Sequence, residues 1–207
     1  MSNSRGQLFI VSAPSGTGKT TLVKQLARVT PKLQISRSYT SRSARSDECD
    51  GVDYNFVTRE RFDEMVRSAA FLEWTEVFGN YYGTCAGDVE RVLAGGDDLV
   101  LVIEVQGANQ IRAKGISHSS IFVLPPSAAI LKQRLEGRSK DSEDQIRRRF
   151  NTASQEIGEL AAYDYLIIND NVDQSVAQLQ AIIVNKEAEE FRVEAMKEAA
   201  DSVVKTF

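Results

Sequence analysis

The stretch Ala13-Pro14-Ser15-Gly16-Thr17-Gly18-Lys19-Thr20 brings glycines, a lysine and a hydroxyl together. It follows the apolar run Leu8-Phe9-Ile10-Val11 and precedes Leu22-Val23 and Leu26-Ala27, which are spaced as on a helix. A strand, a glycine-bearing loop and a helix, in that order, make a concavity of backbone N–H groups suited to polyphosphate. Gly16 and Gly18 let the backbone approach an anion with no Cβ in the way. Lys19 supplies a point charge at the outer phosphates, and Thr20 a hydroxyl for a divalent cation. Such a loop usually opens with glycine; here Ala13 holds that place, and it is small enough for the loop to close. The competing reading is an ordinary strand-to-helix turn ending in Gly-Lys-Thr, which the agreement of strand, loop and helix disfavours.

Other residue types extend this chemistry. Arg42 and Arg45 are three apart in a polar loop, close enough to converge on one anion, and guanidinium forks suit phosphate. Glu73 lies between Phe71 and Trp74 on a strand-like segment, where an ionised carboxylate is costly unless partnered. His118, the one histidine, has serine on both sides, Ser117 and Ser119, and reads as a surface-loop residue rather than a catalytic base. Cys49 and Cys85 lack a metal-site spacing and read as free thiols. The net charge of −4 gives no electrostatic case for nucleic acid. No apolar run is long enough to span a membrane. The N-terminal residues lack the apolar stretch of a signal peptide, which points to the cytoplasm.

The elements that must position these residues follow from periodicity. Apolar runs at Leu8–Val11, Leu99–Ile103, Ile121–Leu124 and Tyr165–Ile168 predict strands buried on both faces, with a fifth near Leu33–Ser38. Helical patterns fall at Lys19–Arg28, Gln106–Ala113 and Ser127–Leu135. The alternation predicts an α/β fold with a parallel five-stranded sheet flanked by helices. An inserted small α+β region and a charged helical lid, with a helix start at Ser142-Glu143, interrupt it. The division is core 1–37, 96–132 and 156–207, insertion 38–95 and lid 133–155. The run from Val172 to Val204 predicts a packed amphipathic helix with a solvated face.

The ordered set of motifs resembles the guanylate kinase family over about residues 6 to 190. Beyond the loop, it comprises Tyr39-Thr40-Ser41-Arg42-Ser43-Ala44-Arg45, Gly51-Val52-Asp53-Tyr54-Asn55-Phe56-Val57 and Phe71-Leu72-Glu73-Trp74. It continues through Gly79-Asn80-Tyr81-Tyr82-Gly83-Thr84, Ile103-Glu104-Val105-Gln106-Gly107-Ala108 and Pro125-Pro126-Ser127. Arg134-Leu135-Glu136-Gly137-Arg138 and Ile168-Asn169-Asp170 complete it. The resemblance implies phosphorylation of GMP by ATP with Mg²⁺, and dGMP as a further acceptor. It implies ATP contacts at Ala13 through Thr20, at Thr21 and at Asn169, with Thr20 on the metal. It implies contacts to the GMP phosphate from Ser38, Arg42, Arg45, Tyr54 and Tyr82, and a GMP contact at Gly83. Glu73 would accept from guanine N1 and N2, Thr84 would donate to O6, and Glu104 would add an acidic contact. Lys19, Arg42, Arg134, Arg138 and Arg149 would stabilise the transferring phosphoryl group. No general base is required, because the acceptor phosphate is already nucleophilic.

The chain departs from the family pattern in places. Val102 replaces the usual acid two positions before Glu104. Ser46-Asp47-Glu48 replaces Pro-Gly-Glu, and Ser139 replaces a glycine. Two other readings compete: a kinase for a different nucleoside monophosphate, and a catalytically silent interaction module. Glu73 with Thr84 argues against the first; Lys19, Thr20, Arg134, Arg138 and Arg149 argue against the second. The residues leave a homo-oligomer open, since the C-terminal helix could pack within the chain or across a subunit interface.

Overall fold

The computed structural model describes residues 5–77, 79–137, 142–185 and 188–207. In chain order its elements are β1 (Leu8–Ser12), α1 (Lys19–Val29), β2 (Leu33–Ile35), β3 (Tyr39–Thr40), β4 (Asn55–Phe56) and α2 (Arg59–Arg67). There follow β5 (Phe71–Val77), β6 (Asn80–Cys85), α3 (Ala86–Ala94), β7 (Asp98–Val102), α4 (Val105–Ala113) and β8 (Ser119–Leu124). The chain ends with α5 (Ala128–Glu136), α6 (Glu143–Ile157), β9 (Tyr165–Ile168), α7 (Val172–Gln180) and α8 (Lys197–Val204).

The apolar runs become strands because both their faces are covered. Every residue of β1 is buried, as are Leu99 to Leu101 of β7 and Ser120 to Leu124 of β8. The five-stranded sheet has the order β2–β7–β1–β8–β9, and the β2–β7, β1–β8 and β8–β9 ladders are parallel. The expected α/β architecture is therefore present, although β2 stops at Ile35 rather than running to Ser38. A second sheet, ordered β4–β3–β6–β5, has antiparallel β3–β6 and β5–β6 pairs and a parallel β3–β4 pair.

The chain divides into two compact units, Met1–Leu8 with Lys32–His118 and Phe9–Pro31 with Ser119–Phe207. In the first, α2 packs Phe62 and Met65 against Phe71 of β5, with Phe62 and Phe71 stacked at 4.5 Å. In the second, α5 and α6 meet through Leu131, Leu135 and Ala153. Local sequence sets several helix starts. Thr58 caps α2, Ser127 caps α5 and Asn171 caps α7. Ser142 and Gln145 form a reciprocal capping box on α6, at the start expected from sequence.

Two elements differ from expectation. The nine residues of α3 were not foreseen; their signal is Val89 and Leu93, four apart and both buried. The run from Val172 to Val204 is not one helix. It is α7, a π-helical turn at Ala181–Asn185, a 3₁₀ turn at Glu189–Phe191 and α8. The physical reason lies in β9, an edge strand. Arg192 forms a bridge to Tyr165, the Val193 N–H donates to the Asp164 carbonyl, and the Arg192 guanidinium lies 4.5 Å from the Tyr165 ring centre. Covering an exposed edge outweighs helix continuity there. The C-terminal residues pack within the chain: Thr206 Oγ1 accepts from the Ala128 N–H at 2.9 Å, and Phe207 stacks on Phe150 at 5.6 Å.

Candidate active site

The glycine-bearing loop expected to take phosphate lies in the second unit, between the buried end of β1 and α1. Gly16 and Gly18 have φ of 90° and 98°, the left-handed region that favours glycine. Packing demands glycine as well. A Cβ on Gly16 would come within 2.9 Å of Leu135 Cδ2, and one on Gly18 within 2.9 Å of Asn169 Nδ2. Ala13 is buried, and among the described residues only Lys32 and Ala69 combine positive φ with a side chain. The alanine is therefore unstrained where the usual loop has glycine.

The loop is tied down at the carbonyl of Thr17. The Thr17 carbonyl accepts from Asn169 Nδ2 at 2.7 Å and from Arg134 Nη1 at 3.2 Å. Arg134 Nη2 donates to the Asn169 carbonyl at 3.1 Å, and Asn169 Oδ1 accepts from Ser175 Oγ at 3.2 Å. Asn169 is 3% exposed; one end of its amide braces the loop and the other takes Ser175 of α7. Pro14 accepts from the Thr17 N–H, while Ser15 and Lys19 are partly buried and Thr20 and Thr21 exposed. No side chain caps α1, and its first turn carries no acid, as suits an anion-binding helix start. Arg149 is partly buried on α6, and Arg138 lies outside the described residues. Arg147 is exposed and pairs with Asp144 on the surface of α6.

The residues expected to meet the acceptor lie in the first unit. Arg42 and Arg45 both meet the carboxylate of Glu48. Arg42 Nη2 lies 2.8 and 2.9 Å from its oxygens, the Arg45 N–H donates at 2.9 Å, and Arg45 Nη1 stands 4.0 Å away. Arg42 Nε donates to the Tyr82 hydroxyl at 3.1 Å and Nη1 to the Ser43 carbonyl at 2.7 Å. The guanidinium lies 5.4 Å from the Tyr54 ring centre, and Tyr54 packs edge-on against Tyr82 at 6.0 Å. Burial and the neighbouring Tyr82 push the Tyr54 phenol up, so its proton stays available for donation. Despite its burial, Glu48 is held below the usual carboxylate range by the Arg45 N–H and by Arg42. Sequence reasoning gave Glu48 no role; its partners are visible only once the loop folds. Ser38 precedes β3 and accepts at its carbonyl from the Asn55 N–H.

Glu73 is the buried carboxylate of this unit, 3% exposed, directly opposite Thr84 in the β5–β6 ladder. Thr84 Oγ1 donates to Glu73 Oε1 at 2.6 Å. Burial raises the carboxyl from 4.5 to about 6; Thr84 and Lys114 oppose that rise and Glu104 adds to it. With its one proton on Glu73, Thr84 orients the carboxylate in this arrangement; donation to a base would require that proton to swing. Glu104 stands at the N-cap of α4, and its charge acts on both Glu73 and Tyr54. Gly83 is required for β5–β6 packing, since a Cβ there would meet Phe71 Cδ1 at 2.9 Å. Val102 ends β7, partly exposed beyond the buried Leu99, Val100 and Leu101.

The pattern of the family described as guanylate kinase matches residues 5–186. The chain belongs to the guanylate kinase family. It is 47% identical over 178 residues to a guanylate kinase of Hahella chejuensis, covering 86% of each chain. It is 46% identical over 202 residues to that of Escherichia coli K12, covering 97% of this chain and 96% of the relative. The crystal structure of guanylate kinase from Anaplasma phagocytophilum superposes with a TM-score of 0.74 at 30% identity, over 91% of this chain and 90% of that one. The matched residues 5–186 include both the glycine-bearing loop and the Glu73–Thr84 pair.

Proposed function

We propose that the two half-sites divide the guanylate kinase reaction, with donor contacts in the second unit and acceptor contacts in the first. The chain transfers the terminal phosphoryl group of ATP to GMP, giving ADP and GDP. The observation that carries the acceptor assignment is the buried Glu73 carboxylate, oriented by Thr84. Guanine presents adjacent N–H groups at N1 and N2, which one carboxylate accepts together, and adenine offers no such pair. A site built on buried polar groups rejects a base that leaves them unpaired.

The loop N–H groups and Lys19 hold the ATP phosphates, with Arg134 and Asn169 fixing the loop that presents them. Thr20, an exposed hydroxyl in the first turn of α1, is an oxygen donor of the kind Mg²⁺ takes alongside substrate phosphates. Bound there, the cation neutralises charge on the phosphates. Arg42, Arg45, Tyr54 and Tyr82, with Ser38, hold the GMP phosphate. Arg149 and Arg138 take the transferring group, as the family resemblance implies. Segment 38–95 then serves the acceptor and segment 133–155 closes over the donor. No helix among the described residues is long and apolar enough to cross a membrane. The free thiols Cys49 and Cys85 suit the reducing cytoplasm, where we place the enzyme.

ADP release from ATP and Mg²⁺ with GMP, dGMP, IMP, AMP, UMP, CMP and dTMP in parallel tests this reading. Turnover confined to the guanine nucleotides is expected. Turnover with another base would overturn the Glu73 assignment, and binding without any turnover would favour an interaction module.

A further inference from the structure

Strand β5 is an edge of its four-stranded sheet, so among the described residues its outward N–H and C=O groups have no strand partner. The β5–β6 register shifts between Phe71 and Glu73, leaving Leu72 as the extra residue of a bulge. Bulges re-aim side chains, and this one stands next to the buried carboxylate. Left alone, an edge strand with a bulge is a loose mount for a group whose direction matters.

One face of α4 closes that edge. Gly107, Gln110 and Lys114 are spaced three and four apart, so they lie on one side of the helix and its C-cap. Gln110 forms a two-bond clamp on Trp74: its Nε2 donates to the Trp74 carbonyl at 2.6 Å, and its Oε1 accepts from the Trp74 N–H at 3.2 Å. Lys114 Nζ donates to the carbonyl of Leu72. The backbone is thus tied on both sides of Glu73. Between the two ties, Gly107 leaves room for the carboxylate, since a Cβ there would come within 2.5 Å of Glu73 Oε2.

We propose that Gln110 and Lys114 are positioning residues for guanine selectivity, fixing the edge strand on either side of Glu73 and so setting how its carboxylate meets the acceptor base. The inference rests on the reading of Glu73 as the base-reading group. The charged groups acting on Glu73 come from α4 and its cap: Lys114 opposes the effect of burial and Glu104 reinforces it. From β6, Thr84 presents only a neutral hydroxyl and a backbone N–H. Lys114 therefore has a second, electrostatic hold on the same group.

The test compares Gln110→Leu, Lys114→Met, Lys114→Arg and Glu73→Gln in steady-state kinetics with GMP, IMP and ATP varied separately. IMP lacks the N2 amino group, so the ratio of kcat/KM for GMP over IMP reports carboxylate alignment. Gln110→Leu is expected to lower that ratio about tenfold, the scale of one well-made hydrogen bond, with KM for ATP within about twofold of the parent. Lys114→Met is expected to lower it about threefold, a fraction of one such bond, and to move the acid limb of kcat/KM for GMP to higher pH. Lys114→Arg should restore both. GMP ionises identically with every variant, so a shift between variants belongs to the protein. An unchanged ratio in Gln110→Leu and Lys114→Met, with collapse in Glu73→Gln, would overturn the positioning role alone. An unchanged ratio in Glu73→Gln would overturn both it and the base-reading assignment. Lys114 is exposed, so Lys114→Met decides the matter should Gln110→Leu fail to fold.

Discussion

On the proposed reading, the two half-sites solve different recognition problems with different parts. The donor side is mostly backbone: a loop with two glycines at positive φ, its Thr17 carbonyl tied down by Asn169 and Arg134. Phosphate looks alike in every nucleotide, and amides with a helix N-terminus suffice for it. The acceptor side is mostly side chain: a buried carboxylate, a threonine aimed at it, and an arginine shared between Glu48 and Tyr82. A base must be told from other bases, and that requires groups whose loss of a partner is costly. Generic binding is built from what every residue has, and selective binding from what few residues have.

Several substitutions would break or sharpen this contrast. The largest effect is expected for Lys19→Met, which removes the one side-chain charge of the loop. It should lower kcat/KM for ATP about 10²–10³-fold, as loss of a donor to developing charge does elsewhere, while GMP titrates as before. Equal loss of GMP binding would mean that the halves are not separate.

Glu73→Gln comes next. Its kcat/KM for GMP should fall roughly 10–10²-fold, the range for hydrogen bonds to a charged group. The same change should stabilise the free protein. Burial raises the Glu73 carboxyl from 4.5 to about 6, so the folded chain binds a proton more readily than the unfolded chain in that window. Stability then falls as pH rises from 4.5 to about 6, and the full cost, about 2 kcal/mol, is present at pH 7. Chemical denaturation of both proteins should show that gap at pH 7 and its disappearance below pH 4.5.

Glu48→Gln should be milder. Arg42 loses its charged partner but keeps Tyr82 and Ser43, so KM for GMP is expected to rise about tenfold with ATP unaffected. Ala13→Gly should be smallest of all. Glycine is already tolerated by such loops, and the only expected change is a loss of about 0.4–1 kcal/mol in stability from added chain freedom, read by thermal melting with kcat unchanged.

Sequence made the geometry of the loop largely legible, because Gly16, Gly18, Lys19 and Thr20 are neighbours between a strand and a helix. The buried runs of β1, β8 and β9 were legible for the same reason: two covered faces leave a continuous apolar string. What escaped was long-range. Arg134 and Asn169 reach Thr17 across 117 and 152 residues, and no local spacing announces that they brace the loop. Glu48 lies only six residues from Arg42, yet a charged residue in a polar loop has a partner only once the loop closes. The break after α7 was hidden because Glu and Lys keep helical rhythm while an edge strand elsewhere decides the path.

The most direct test of the division is a crossed pair of calorimetric titrations. Gly18→Ala, whose Cβ would meet Asn169 Nδ2 at 2.9 Å, and Glu73→Gln are each titrated with ATP and with GMP separately. The account predicts that Gly18→Ala weakens ATP and spares GMP, and that Glu73→Gln weakens GMP and spares ATP. Either variant weakening both nucleotides alike would contradict it.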